Sequence, residues 1–316
     1  MDYAKKRRLL AKKIRNKDFF IAPGVFDMLS ARIADCMNFE ALYMTGYGAV
    51  ASYLGLADAG LASYRDMVNR VNQIASGTSK PLIADADTGY GGLLNIAQTV
   101  KGYESAGACA LHIEDQENPK KCGHTPGKNV VSQSEMVMRI KVAVDAKMNS
   151  DFLVIARTDS RAKEGLERAC IRAEAYADAG ADVLFVEGLL SVEEAKIVSE
   201  RLNKYPLMIN MADLGLTPII AFKDLKNMGY SFAIYPGTAF GAAAAAMQSV
   251  YTTLESEGSS NSIKVPIIEG AEMHNLMGFN EVWDFEEKWG VNKITMNEPG
   301  AGLRYKNNNT IREKNE

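Results

Sequence analysis

Two aspartates two residues apart, Asp85 and Asp87, close the apolar run PLIADAD, and a second run, CALHIED, ends in Glu114 and Asp115. In a strand, residues i and i+2 face the same way, so Asp85 and Asp87 can aim their oxygens at one point, which Glu114 can also reach. Convergent carboxylates suit a hard divalent cation, Mg2+ above all, with Mn2+ as its substitute; Mg2+ keeps several waters and takes few protein carboxylates. A few residues on, in KKCGHTPGK (120–128), Cys122 lies beside Lys121 and close to His124. Neighbouring cations tune a thiol toward neutrality, so Cys122 is expected to serve as a proton donor. Gly123, Pro126 and Gly127 give its loop hinges to close over substrate and exclude water.

The rest of the chain must position these groups. It has 316 residues, 47% hydrophobic and 24% charged, with a formal net charge of −3, the composition of an ordinary globular enzyme. That balance implies no polyanion, and no basic stripe with interleaved aromatics suggests nucleic acid. The basic cluster at Lys5–Arg8 and Lys12–Arg15, interrupted by Leu9, Leu10 and Ile14, reads as a solvated amphipathic helix rather than a membrane surface. No apolar run approaches the roughly 18 residues of a membrane span, and no signal-peptide h-region opens the chain; a cytoplasmic protein is expected. Cys36, Cys109, Cys122 and Cys170 show no CxxC spacing, hence neither a disulfide framework nor a zinc site.

Short β-branched runs at 19–25, 41–46, 81–87, 109–115, 152–159, 182–188, 206–211 and 231–237 alternate with helical patterns at 28–35, 63–76, 95–107, 132–146, 165–179, 191–203, 219–228 and 239–247. Strict alternation predicts a parallel sheet covered by helices, and eight units in about 240 residues predict a (β/α)8 barrel. Thr45, Asp85, Asp87, Glu114, Arg157, Asp159, Glu187 and Asn210 all fall at carboxyl ends of the runs, where barrel sites lie. The Ala-rich run Ala239–Met247 is expected to pack closely as the eighth helix. Residues 1–256 are expected to form the barrel, 257–291 a linker and an extra C-terminal helix over 274–290, and 292–316 a loosely ordered tail. The apolar stripe Leu276, Phe279, Val282, Trp283, Phe285 and Trp289 needs a surface to cover. His112, inside an apolar strand, and His274 read as structural, and Cys36, Cys109 and Cys170 as inert buried thiols.

The combination GVFDMLSA (24–31), TGYGAVASYLGLADAGL (45–61), DADTGYGG (85–92), EDQENPKKCGHTPGK (114–128), ARTDS (156–160), FVEG (185–188) and NMADLGLTP (210–218) resembles the isocitrate lyase/phosphoenolpyruvate mutase superfamily over roughly residues 18–290. The KKCGH loop is the most specific element, being similar to that of the family's lyases. The resemblance implies Mg2+-dependent making or breaking of the bond next to a 2-oxo or 2-hydroxy acid through an enolate. By the same resemblance Asp85 and Asp87 match metal ligands, with Glu114 in the metal's water shell. Thr45, Gly46 and Tyr47 match a loop that holds a substrate carboxylate through backbone N–H groups, and Tyr43 and Asp58 belong with them. Cys122, Gly123 and His124 match a gating triplet, with Lys121 beside it, and Arg157, Glu187 and Asn210 match substrate-side contacts. The family implies a homotetramer, a dimer of dimers that swaps its last helix, acting on a small di- or tricarboxylate.

Within the family, the expected reaction is cleavage of a 2-alkylmalate or a 2-methylisocitrate to a 2-oxo acid plus a carboxylic acid. The alternatives are an oxaloacetate hydrolase or decarboxylase, a carboxyphosphonoenolpyruvate phosphonomutase, and a barrel without activity that only binds. Three positions bear on the choice. Pro236 in IYPGTAF resembles the lyases, whereas the hydrolases tend to place a Ser there. Gly241 stands where 2-methylisocitrate lyases typically carry an Arg for the third carboxylate, and Asp213 stands where Glu is typical.

Overall fold

The structure, a computed structural model, describes residues 2–213 and 215–291; the expected tail from Asn292 lies outside the described residues. The elements run α1 (Tyr3–Arg15), β1 (Phe20–Val25), α2 (Met28–Asp35), β2 (Leu42–Met44), α3 (Gly46–Leu54), α4 (Tyr64–Gly77), β3 (Leu82–Asp85), α5 (Leu93–Ser105), β4 (Ala110–Glu114) and α6 (Gln133–Asp145). They continue with β5 (Leu153–Thr158), α7 (Arg161–Asp178), β6 (Val183–Val186), α8 (Val192–Arg201), β7 (Leu207–Asn210), α9 (Phe222–Met228), β8 (Phe232–Tyr235), α10 (Thr238–Glu257), α11 (Gly270–Met277) and α12 (Phe279–Trp289). The strands close a barrel in sequence order, every neighbour parallel, with β1 returning to β8 in the register Phe20↔Phe232. The described residues divide into two compact units, the division falling after Ala242. No described helix is long and apolar enough to cross a membrane.

A parallel strand packed on both faces reads as a near-continuous apolar run, and its two faces serve two cores. Leu82, Ala84, Leu111, Ile113, Val154, Ala156, Leu184 and Val186 pack outward with helix residues such as Val71, Ile74 and Ile140. Tyr43, Ile83, Ala110, Ile155, Phe185, Met208 and Ile234 fill the barrel. One period-2 step further up that inner face lie Thr45, Asp85, His112, Arg157, Glu187, Asn210 and Pro236, and a second step reaches Glu114. The parity that fills the barrel with hydrocarbon therefore delivers the polar groups to its carboxyl end.

The N-terminal helix departs from expectation. Leu10, Ala11 and Ile14 of α1 join the inner core, and two of its basic residues, Lys6 and Arg7, are buried. Lys6 Nζ donates to Thr78 O (2.7 Å) and Arg7 Nε to Ala108 O (3.0 Å). Those carbonyls lie just before β3 and β4, so these two of the seven basic residues satisfy backbone acceptors at the barrel floor instead of meeting solvent.

Three further differences concern helices. The stretch 46–54 forms α3, which its glycines conceal in the sequence. The helix after β8 continues to Glu257, and none of its residues is buried within the chain, so the alanine run is not closely packed as expected. The span 274–290 is not one helix but α11 and α12, because Gly278 adopts φ +85°, a conformation that ends one helix and is open to glycine. In this second unit the His274 ring lies tilted against Phe279, ring centroids 4.7 Å apart.

Candidate active site

The inner-face polar groups meet in a cavity of about 360 Å³ at the carboxyl ends of the strands, within the range of small-molecule sites. Among its walls are Tyr43, Thr45, Tyr47, Asp58, Asp85, Glu114, Cys122, His124, Arg157, Glu187, Asn210 and Pro236. Gly123 lines it as well, Gly46 lies against the Asp85 carboxylate, and Asp87 joins through Lys120. Thr45 is the N-cap of α3, whose first i→i−4 bond is Ala49 N–H to Thr45 O (3.0 Å). The N–H groups of Gly46, Tyr47 and Gly48 thus have no intrahelical acceptor, and such a terminus suits a carboxylate.

The acids share one ammonium. Lys120, 3% exposed, pairs with Asp58 and lies 2.5 Å from Asp87 Oδ1. Burial raises Asp87, and Asp85 and Asp58 add to the rise against the pull of Lys120, leaving it near a pKa of about 7. Asp85 is held below its ordinary value: burial opposes ionisation, but nearby positive groups and the Asp87 N–H (2.9 Å) outweigh it. His112 is fully buried, its Nε2 2.7 Å from Tyr43 Oη and 3.5 Å from Asp85 Oδ1. Burial pulls its pKa down to about 4, so it is a neutral partner inside the barrel, and the structural reading of this residue places it directly beneath the acids.

Arg157 is the second cation. Asp159 grips it bidentately, Nε–Oδ2 2.8 Å and Nη2–Oδ1 3.0 Å, while Glu114 Oε2 stands 3.3 Å and Glu187 Oε2 3.7 Å away. Glu187 Oε2 also accepts from Asn210 Nδ2 (2.9 Å). His124 Nδ1 accepts the Leu216 N–H (3.1 Å), and its Nε2 stands 3.1 Å from Asn210 Nδ2 and 3.5 Å from Glu187 Oε1.

The loop bearing Cys122 lies folded over this cluster. The Gln116 side chain donates to Lys121 O (2.8 Å) and accepts from Lys121 N–H (2.9 Å). Cys122 N–H donates to Asp58 O (3.2 Å), and Lys128 Nζ donates to Gly123 O. Gly123 comes so close to the floor that a Cβ there would meet Arg157 Nη2 and Glu187. Burial pushes the Cys122 thiol up, against the His124 N–H. The flanking cations expected to tune it do not prevail, and the thiol keeps its proton at neutral pH.

Lys121 lines the cavity, yet its ammonium is exposed and bonds Gly127 O (3.2 Å). The ammonium among the acids is that of Lys120, which the sequence reading passed over. In a loop with no period, two consecutive lysines give no signal as to which turns inward. Cys109 and Cys170 are buried as expected, whereas Cys36, at the C-terminal cap of α2, is exposed rather than buried.

Asp85, Asp87 and Glu114 offer only hard oxygen donors, and Glu114 Oε1 is buried without a hydrogen-bond partner. Among the described residues no group of three or more His, Cys, Asp and Glu side chains is arranged to hold an ion directly. Mg2+, which retains waters and takes one or two carboxylates, fits such a set.

The family described as Phosphoenolpyruvate phosphomutase matches residues 10–254. A 2,3-dimethylmalate lyase of Eubacterium barkeri is 39% identical over 92% of this chain and 99% of its own length. A 2-methylisocitrate lyase of Aeropyrum pernix is 38% identical over 89% of each chain. A solved structure of oxaloacetate acetylhydrolase in complex with 3,3-difluorooxalacetate superimposes with a TM-score of 0.87 at 35% identity, covering 92% of this chain and 99% of the other.

Proposed function

The chain belongs to the phosphoenolpyruvate mutase/isocitrate lyase superfamily, an enzyme family, and from that premise we propose that it is a Mg2+-dependent carbon–carbon lyase. Its substrate is a 2-hydroxy dicarboxylate of the alkylmalate type, cleaved to pyruvate or another 2-oxo acid plus a second carboxylic acid. The observation that carries this reading is the placement of the Cys122 thiol in the cavity wall, on a loop folded over a guanidinium and an acid cluster.

When the C2 hydroxyl gives up its proton to one of the carboxylates lining the cavity, the O–H electron pair forms the C2 carbonyl, the C2–C3 bond breaks and its electrons pass into the carboxylate on C3, which becomes an enolate. Arg157, fixed by Asp159, meets that growing charge, the kind of preorganised stabilisation that contributes most to catalysis. Cys122 then protonates C3. The N–H groups of the α3 N-terminus hold the other carboxylate, and the folded loop keeps water out. Asp85 and Asp87, with Glu114 through water, would hold Mg2+, which when bound supplies Lewis-acid stabilisation of negative oxygen.

The C3 arm meets a wall with little for a third carboxylate. Phe240 packs edge-on against Phe26 (5.2 Å) and Tyr47 (5.9 Å), Asp213 accepts the Thr238 hydroxyl, and Gly241 brings no cation. Pro236 supplies no donor for a hydrated oxaloacetate, a loss of roughly 1–3 kcal/mol of recognition. The similarity to an oxaloacetate acetylhydrolase makes that hydrolysis the second reading. Supplying 2,3-dimethylmalate, 2-methylisocitrate and oxaloacetate separately with Mg2+, and reading pyruvate through lactate dehydrogenase, separates them. Cleavage of an alkylated acid supports the lyase; fast oxalate formation from oxaloacetate alone overturns it.

A further inference from the structure

Directly behind the site lies a buried carboxylate that the chemistry above does not use. Asp115 follows Glu114 at the end of β4, so the alternation that turns Glu114 inward turns Asp115 outward, toward α7. It is 0% exposed, and both oxygens are engaged. Oδ1 accepts the Asp159 N–H (2.8 Å), and Oδ2 accepts the hydroxyls of Thr158 (2.7 Å) and Tyr176 (2.8 Å), with Arg172 Nη1 3.6 Å away. The Asp115 carbonyl accepts the Val131 N–H (2.8 Å), and Arg172 Nη1 donates to Val131 O (2.9 Å). Val131 follows the bridge between Gln116 and Val130 that closes the base of the Cys122 loop.

Two lines of contact therefore leave this one side chain and its backbone, and both end at the cavity. One passes through Asp159 to the bidentate grip on Arg157. The other passes through Val131 to the loop, whose Lys128 lies 3.5 Å from Asp159 Oδ1 and also binds Gly123 O. The hold on Asp159 matters because Arg157 has competing acids at 3.3 and 3.7 Å, Glu114 and Glu187. Only the two-point contact with Asp159 fixes the plane of the guanidinium, and a fork released from it can swing toward either competitor.

We propose that Asp115 is a positioning residue, whose side chain sets the plane of Arg157 through Asp159, while its backbone carbonyl holds Val131 whatever side chain stands there. The inference rests on the reading that Arg157 meets the enolate charge. Asp115→Ala removes both acceptors, and Asp115→Asn returns one for the Asp159 N–H. Tyr176→Phe is the control, since it removes a donor from the helix side only.

The readouts are kcat and KM on 2,3-dimethylmalate, and calorimetric affinity for oxalate in the presence of Mg2+ alongside affinity for Mg2+ alone. Asp115→Ala is expected to lower kcat by about 100-fold, as for a misplacement of about 1 Å, and to weaken oxalate while sparing Mg2+. Asp115→Asn is expected to recover kcat to within about tenfold of wild type, since a neutral acceptor is roughly half as strong. Tyr176→Phe should lower the thermal midpoint yet hold kcat and oxalate affinity within about threefold. A purely structural role predicts that kcat follows the midpoint in all three, and that outcome overturns the proposal, as does an Ala variant with unchanged oxalate affinity. If Asp115→Ala does not fold, Thr158→Val decides by the same readouts from the β5 side. If wild type cleaves no alkylmalate, the lyase reading falls while oxalate affinity still decides the role of Asp115; a wild type that binds no oxalate overturns both.

Discussion

Replacing Asp87 by Asn should make the protein more stable above neutral pH while costing it Mg2+. In the folded chain Asp87 sits near pKa 7, against an ordinary value of 3.8, because burial and two neighbouring acids outweigh one shared lysine. Between those values the folded state holds a proton that the unfolded chain has released. Stability therefore falls as pH rises through this window and levels off above about 7. Three units at about 1.4 kcal/mol each come to about 4 kcal/mol. Asn cannot titrate, so the variant gains that amount relative to wild type between pH 4 and 8. With about 2 cal/mol/K of unfolding entropy per residue, 4 kcal/mol over a chain of this length is roughly 6 °C of thermal midpoint.

The assay is thermal unfolding of both proteins with chelator at pH 5, 6, 7 and 8, repeated with Mg2+. Because a metal takes the ionised carboxylate, the Mg2+ increment of wild type should grow with pH up to about 7, and the variant should show little of it. A midpoint difference that is the same at pH 5 and pH 8 would refute the reasoning.

Three other outcomes are expected. Cys122→Ser, whose hydroxyl is a far weaker acid, should lower kcat by about 10²–10⁴-fold with calorimetric Mg2+ affinity unchanged; full activity would remove the thiol from the mechanism. Gly123→Ala should hold the loop away from Arg157 and Glu187, lowering kcat about 100-fold with the thermal midpoint nearly unmoved, and a crystal structure should show the displaced loop. The uncovered α10, with Met247 and Tyr251 more than half exposed, together with the apolar α12, should assemble the protein into an oligomer, expected to be a tetramer. Sedimentation as a stable monomer at micromolar concentration would count against it.

Much of the fold was legible because each strand is buried on both faces, so its hydrophobic run shows in the sequence, and because parity carries on from Ile83 to Asp85 and from Ile155 to Arg157. Legibility ended where periodicity did. Lys120 and Lys121 share an aperiodic loop, and only the folded chain decides which ammonium reaches Asp58 and Asp87. Asp115 reads as one more strand-end acid, and its outward role needs Tyr176, 61 residues away. The burial of Lys6 and Arg7 depends on carbonyls near Thr78 and Ala108, which no local pattern announces. Gly278 breaks a stripe whose apolar spacing alone suggested one continuous helix.

The helix at the barrel floor also bears on how the protein is made. Leu10, Ala11 and Ile14 have their place only once a floor exists, and the sheet closes only when Phe232–Tyr235 pairs with Phe20–Pro23. At a synthesis rate of about 5–20 residues per second, some 220 residues must follow α1 before closure, a wait of roughly 10–45 s. Throughout that interval α1 carries an apolar stripe with no barrel floor beneath it. Its run of lysines and arginines surrounds the stripe with charge during the wait, and Lys6 and Arg7 exchange water for backbone carbonyls when the floor arrives.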